Sequence, residues 1–259
     1  MLLYIDMHKL KLELKHMALL RIDKIVSSTG EYSRKEAALL IKRGEVTVNG
    51  FPAASGAAKA DTETDTVAVR GQPISYSEYR YIMMNKPDGV LSATEDSRDK
   101  TAIQLLPEKY QKLKLFPAGR LDKASEGLLI LTNNGEYAHR VISPNRHVFK
   151  KYYVETEGHL TEDDCESVKR GIELKDFTAL PGKLEIISSG DTSSGYVWIR
   201  EGKFHQVRRM LGSLGKPVLY LKRISIGGLV LDERLAPGDF REMPESEAFS
   251  VFQGGEITL

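Results

Sequence analysis

The residue best placed to do chemistry is Asp122, in the string Phe116-Pro117-Ala118-Gly119-Arg120-Leu121-Asp122-Lys123-Ala124-Ser125-Glu126-Gly127-Leu128-Leu129-Ile130-Leu131-Thr132-Asn133-Asn134-Gly135. Its carboxylate lies on a loop bounded by Gly119 and Gly127, directly before an apolar run of buried-strand length. A loop braced by a rigid strand is a favoured seat for a reacting group, and an ionised carboxylate there can act as nucleophile or general base. Taken alone, a loop aspartate is more often a turn or capping residue, so the neighbouring strings matter. Two lie downstream: His147-Val148-Phe149-Lys150-Lys151-Tyr152-Tyr153-Val154 and Arg200-Glu201-Gly202-Lys203-Phe204-His205-Gln206-Val207-Arg208-Arg209-Met210-Leu211. The first puts Tyr152 and Tyr153 on opposite faces of a strand, because side chains alternate. The second carries Val207, Met210, Leu211 and Leu214 at helical spacing. No second carboxylate sits in a motif, which disfavours a glycosidase with two carboxyl groups roughly 5–10 Å apart.

The elements that must hold these groups fall into two parts. Ile22, Ile25 and Val26 form a short helical stripe, followed by a turn at Thr29-Gly30. Ser33-Arg34-Lys35-Glu36 fits a capping box, opening a helix that buries Ala37, Leu40 and Ile41 and ends before Gly44. Val46-Thr47-Val48 then leads into Asn49-Gly50, a preferred hairpin turn. Arg70–Arg80 is rich in turn formers and reads as a linker with a boundary near Ser77. Beyond it, strands are expected at Tyr81–Met84, Gly127–Thr132, Tyr152–Thr156 and Gly195–Arg200, with helices at Glu162–Gly171 and Lys203–Leu214. That order predicts an α+β architecture with a mostly antiparallel sheet.

The long string, with Gly-Arg-Leu-Asp at 119–122, Ser125, Gly-Leu-Leu at 127–129 and Thr-Asn-Asn-Gly at 132–135, is similar to the signature of pseudouridine synthases of the RsuA/RluA superfamily. The segment Leu19–Val69 resembles the S4 RNA-binding module. The likeness runs from about Leu19 to Pro244. It implies a small S4 (α-L) domain with linker over 19–77, and over 78–259 a synthase domain with a mostly antiparallel mixed sheet flanked by helices. Residues 1–18, which precede the likeness, read as a disordered or marginally helical extension because unanchored termini are usually poorly ordered.

The resemblance also assigns roles. Asp122 is the carboxylate that acts on the nucleotide, and Tyr152 stacks on the base. Arg208 is the guanidinium that keeps Asp122 ionised, and Lys150 belongs to the same motif as Tyr152. Leu221 walls the uracil pocket, and Arg120 fills the gap that a flipped base leaves or holds the adjacent phosphate. His205 reads as structural and Arg209 as facing phosphate or solvent. In the S4 module, Arg34, Lys35, Lys42 and Arg43 face RNA phosphates. Asn134 stands where the family often has an acidic residue, from which only a turn adjustment is expected. The implied reaction is isomerisation of uridine to pseudouridine, with no cofactor and no metal. The S4 module together with His139–Ser143, Pro144 and His147 points to the RsuA branch, which acts on 16S ribosomal RNA, with uridine 516 as the position. The alternatives are a 23S enzyme or a non-catalytic ribosome-assembly factor. The implied setting is a cytoplasmic monomer acting on a small-subunit assembly particle.

Composition agrees with an ordinary globular chain: 41% hydrophobic and 28% charged residues over 259 positions, and no apolar run of the roughly 20 residues that span a bilayer. The single cysteine, Cys165, excludes an intramolecular disulfide or a cysteine-based metal site. Net charge is only +1, yet Arg200, Lys203, Arg208, Arg209, Lys216, Lys222 and Arg223 are opposed by Glu201 alone. Arg140, Arg146, Lys150 and Lys151 form a second basic stretch, with the acidic segment Glu155–Asp176 between the two. Such segregation can give a basic face, or these can be ordinary solvated surface charges; charge alone does not choose between the two.

Overall fold

The computed structural model describes residues 19–143 and 148–253. The expected extension over 1–18, and the motif residues Pro144, Arg146 and His147, lie outside them. The chain divides into two compact units: the described residues up to Glu78 with Pro107–Lys114, and Tyr79–Leu106 with the described residues from Leu115 onward. That Pro107–Lys114 joins the first unit is not signalled by any local pattern.

In the first unit β1 (Leu19–Arg21) precedes α1 (Ile22–Ser27) and α2 (Arg34–Lys42), followed by β2 (Val46–Val48), β3 (Phe51–Pro52), β4 (Lys59–Asp61), β5 (Val67–Val69) and β6 (Gln72–Ile74). A short α3 (Glu108–Gln111) completes it. The helix α2 starts where the Ser33 side chain accepts from the Glu36 amide while the Glu36 carboxylate accepts from the Ser33 amide, the reciprocal box. Its inner face packs Ala37, Leu40 and Ile41 against Ile22, Ile25, Val26 and Val46. Arg34, Lys35, Lys42 and Arg43 are left exposed on the outer face. Asn49 and Gly50 both take positive φ (52° and 84°), the conformation that lets a two-residue turn match strand twist.

The second unit holds β7 (Tyr81–Lys86), β8 (Phe116–Pro117), β9 (Glu126–Thr132), α4 (Gly135–Ile142), β10 (Lys150–Glu157), α5 (Glu162–Arg170), β11 (Lys183–Ser188), β12 (Thr192–Ile199), α6 (Gln206–Ser213), β13 (Val218–Ile226), β14 (Leu229–Val230), β15 (Phe240–Glu242) and α7 (Glu245–Ala248). Among the described residues its sheet has nine strands in the order β11-β12-β10-β13-β9-β7-β15, with β14 on β13 and β8 on β9. Every pairing is antiparallel except β9 with β13, so the sheet is mixed and mostly antiparallel, as the sequence implies. The core joins Tyr81, Met83, Leu128, Ile130, Tyr137 and Val141. Among the described residues no helix is long and apolar enough to cross a membrane.

Two elements escape local pattern reading. The helix α4 begins at a glycine, but Asn134 caps it by accepting from the Tyr137 amide at 3.0 Å and donates to the Tyr81 hydroxyl at 2.9 Å. Asn134 therefore does more than adjust a turn. The strand β13 is central because it joins the two halves of the sheet, at Arg223↔Gly127 on one side and Tyr152↔Arg223 on the other.

Lys86, at the end of β7, is fully buried. Its ammonium donates to the carbonyls of Pro87 (2.8 Å), Lys123 (3.2 Å) and Ser125 (2.7 Å), so it pins the loop that carries Asp122. Burial lowers its pKa to about 8, against the raising influence of Asp88, Glu126 and Asp122. Between about pH 8 and the unfolded value of 10.5 the unfolded chain holds a proton that the folded chain has released, so this group makes stability rise with pH in that window. Lys86→Met removes this donor from the Pro87 and Ser125 carbonyls, the Lys123 carbonyl keeping the Gly89 amide, and is expected to cost about 2–3 kcal/mol. Urea unfolding from pH 7 to 10 should show the wild-type advantage widening above pH 8; a pH-independent difference would contradict this role.

Candidate active site

Asp122 sits between β8 and β9 on a loop whose backbone is tied down at successive residues. Arg223 Nη1 donates to the Arg120 carbonyl (3.1 Å), and the Ser92 hydroxyl bonds both the amide and the carbonyl of Leu121 (3.0 and 2.9 Å). The Gly89 amide and Lys86 hold the Lys123 carbonyl, and Arg208 Nη2 holds that of Ala124 at 2.7 Å. The Asp122 side chain, 27% exposed, has a single ion-pair neighbour within 4.0 Å among the described residues, His205 Nε2 at 3.7 Å. A rigid backbone thus presents an otherwise uncommitted carboxylate, the arrangement a reacting group needs.

That carboxylate faces a cavity of about 640 Å³, within the range of small-molecule sites. Tyr152, Leu221, Lys150 and Arg120 line it together with Arg223 and Phe204. Strand alternation and register explain the wall. On β10 the buried positions are Lys150, Tyr152, Val154 and Thr156, and on β13 they include Leu221 and Arg223. Tyr152 pairs with Arg223 and Val154 with Leu221, across a bulge at Lys151/Tyr152. Tyr153 lies on the other face, where its hydroxyl donates to Glu155 and its ring meets Tyr196 and Tyr220 edge-on. Burial, then the nearby Arg223, lowers the Lys150 pKa to about 8.

These features can be set beside known proteins. Residues 80–213 match the RNA pseudouridylate synthase family, and residues 20–57 match the S4 domain. The chain belongs to the pseudouridine synthase family. It is similar to an RNA pseudouridine synthase of Bacillus subtilis, 44% identical over 88% of this chain and 96% of that one. It is also similar to the ribosomal small subunit pseudouridine synthase A of Vibrio cholerae, 42% identical over 90% of this chain and all of the relative. A crystal structure of a pseudouridylate synthase superposes with TM-score 0.62 and 33% identity over 90% of this chain.

In this pseudouridine synthase the arginine expected beside Asp122 is placed differently. Arg208 donates to the carbonyls of Val218 (2.9 Å) and Ala124 (2.7 Å) and is not part of the cavity lining. It follows the buried Val207 on α6, so its side chain reaches sideways to β13 and the Asp122 loop and clamps the two. The buried guanidinium in the cavity wall is that of Arg223, which donates through Nε to the Leu128 carbonyl (2.8 Å) and, among the described residues, leaves Nη2 without a partner. The signal for it was present: Arg223 is two residues after Leu221, hence on the same face of a strand.

Of the two readings of the basic stretches, the structure favours the one with less of a basic face. The acidic segment folds back to pair Asp176 with Arg209 and Asp164 with Lys216 (4.0 Å). Arg223 and Lys150 are buried, and Arg140 stacks on Phe252 at 4.3 Å. Linear charge counting cannot see such tertiary partners. His205, expected to be structural, stands within ion-pairing reach of Asp122.

Proposed function

We propose that this synthase isomerises a uridine of 16S ribosomal RNA, with Asp122 as the reacting carboxylate, acting in the cytoplasm as a monomer on a small-subunit assembly particle. The observation that carries the reading is the uncommitted Asp122 side chain, facing a nucleoside-sized cavity from a loop pinned through its backbone. Pseudouridine formation breaks the C1′–N1 bond, turns the uracil and joins C1′ to C5, releasing the C5 proton. An ionised Asp122 can attack C1′, assist elimination, or add to the ring. Tyr152 and Leu221 offer the base an aromatic and an aliphatic wall, and the Nη2 of Arg223, unpartnered among the described residues, offers a donor to a uracil carbonyl or a sugar hydroxyl. The uridine must leave its stack to enter, as in other base-flipping enzymes, and the exposed Arg120 at the cavity is suited to hold the vacated position. The choice of the small-subunit RNA is supported by the likeness to ribosomal small subunit pseudouridine synthases A, and uridine 516 is carried over from the resemblance to the RsuA branch alone.

Mapping pseudouridines in ribosomal RNA from cells lacking the protein tests this reading. Loss of one 16S site, restored by purified protein on 16S transcripts or particles, is expected. Loss in 23S RNA would move the substrate to the large subunit, and no loss in either RNA would defeat the ribosomal assignment.

We assign the first unit to phosphate contact through the exposed face of α2. Reversing Arg34, Lys35 and Arg43 to glutamate should weaken RNA binding and flatten its dependence on salt, by roughly 0.7–0.9 in logarithmic slope for each phosphate that is no longer neutralised. Unchanged affinity and slope in a filter-binding titration would remove this role.

A further inference from the structure

Phe204 is 66% exposed at the rim of the Asp122 cavity, which is an unusual position for a large apolar side chain in an enzyme that takes a polyanion. One face of its ring is covered by the His205 imidazole, stacked at a centroid distance of 3.9 Å and an interplanar angle of 14°. No other aromatic ring or cation among the described residues stacks on that ring. The pair is held in place at some cost. His205 adopts φ 50° and ψ 32°, the left-handed region, without a side-chain cap to α6. Gln206 locks the approach by accepting from the Lys203 amide (3.0 Å) and donating to Glu201 (2.8 Å). Ile142, 52% exposed, contributes a second apolar group to the same cavity, and the exposed Lys203 adds an ammonium.

We infer that Phe204, backed by His205, is a stacking platform for an unpaired nucleobase next to the target uridine, with Lys203 beside it for that nucleotide's phosphate. The inference rests on an RNA strand entering the Asp122 cavity. An exposed flat ring beside a cation is what single-stranded nucleic acid uses, because every base has a π-face and base–aromatic stacking is sequence-tolerant. The deeper wall of Tyr152 and Leu221 is separate from this rim, so the platform adds a second base position to the first. Its function is to hold the opened strand while the uridine is turned into the cavity.

The test combines kinetics with fluorescence. Under single-turnover conditions on 16S and 23S transcripts, Phe204→Ala should raise the RNA concentration for half-maximal rate roughly ten-fold or more, with a much smaller change in the maximal rate. Phe204→Trp should restore it and Phe204→Leu should not. Rescue by leucine as good as by tryptophan, or no effect of alanine, would overturn the platform. Because Phe204 is exposed, thermal unfolding of these variants should match wild type. In an Asp122→Asn background, Trp198→Phe with Phe204→Trp leaves one tryptophan, at position 204. Its emission should be quenched on binding either transcript, and binding without quenching would defeat the proposal. This readout needs no turnover, so it stands even if wild-type protein modifies neither transcript, a result that would instead defeat the ribosomal substrate.

Discussion

Asp122→Asn is expected to reduce pseudouridine formation by on the order of 10³-fold or more, the scale seen when a reacting group is removed, while RNA affinity changes less than about two-fold. The amide keeps the shape of the carboxylate but not its charge, so it can neither attack C1′ nor stabilise a cationic sugar. The loop should be undisturbed, because its ties run through the backbone: Arg223 to Arg120, Ser92 to Leu121, Lys86 to Lys123 and Ser125, and Arg208 to Ala124. Among the described residues, the side-chain contact altered is the 3.7 Å approach of His205 Nε2. Release of tritium from 5-tritiated uridine in a transcript reports the C5 proton directly. Residual activity above about one per cent of wild type would mean that another group carries the step.

The second large effect is structural. Gly127→Ala is expected to cost about 3 kcal/mol or more, with a fall in Tm of roughly 6–12 °C for a domain of this size. Gly127 has φ +102°, and a Cβ there would lie 2.2 Å from the Arg223 carbonyl oxygen and 2.7 Å from its nitrogen. Both are backbone atoms of the paired strand, so neither can move without opening the β9–β13 junction, the one parallel pairing of the sheet. Because Arg223 also carries the Arg120 carbonyl and lines the cavity, the molecules that remain folded should lose activity as well. Gly135→Ala is the control. None of the described residues lies within 4 Å of a Cβ there and its φ is not positive, so the first helical residue of α4 should accept alanine with no loss of stability. Equal stability of Gly127→Ala and wild type in a thermal scan would show that the junction yields more easily than this close approach implies.

The effects of these substitutions separate what is local from what is not. Features whose partners lie within a few residues were legible in the chain. The Ser33/Glu36 capping box, the Asn49-Gly50 turn and the alternation that turns Tyr152 inward and Tyr153 outward each follow from short-range geometry. So does the seating of Asp122 before a buried strand, and the family signature around it reads as one continuous string. What depended on distant partners was not legible. Arg208 and Arg223 are both arginines of the basic stretch, and only the pairing of β13 with β9 and β10 puts Arg223 in the cavity wall while Arg208 clamps the loop from outside. Asn134 reads as a turn residue until Tyr137 and Tyr81 give its amide two partners. The acidic segment reads as a separate block until its folding back pairs two of its aspartates with Arg209 and Lys216. The sequence alone therefore singled out Asp122, the carboxylate that faces the cavity, and the strand behind it. The tertiary structure decided which arginine is buried in its cavity wall, because a side chain's electrostatic role depends on the groups that the fold brings within a few ångströms of it.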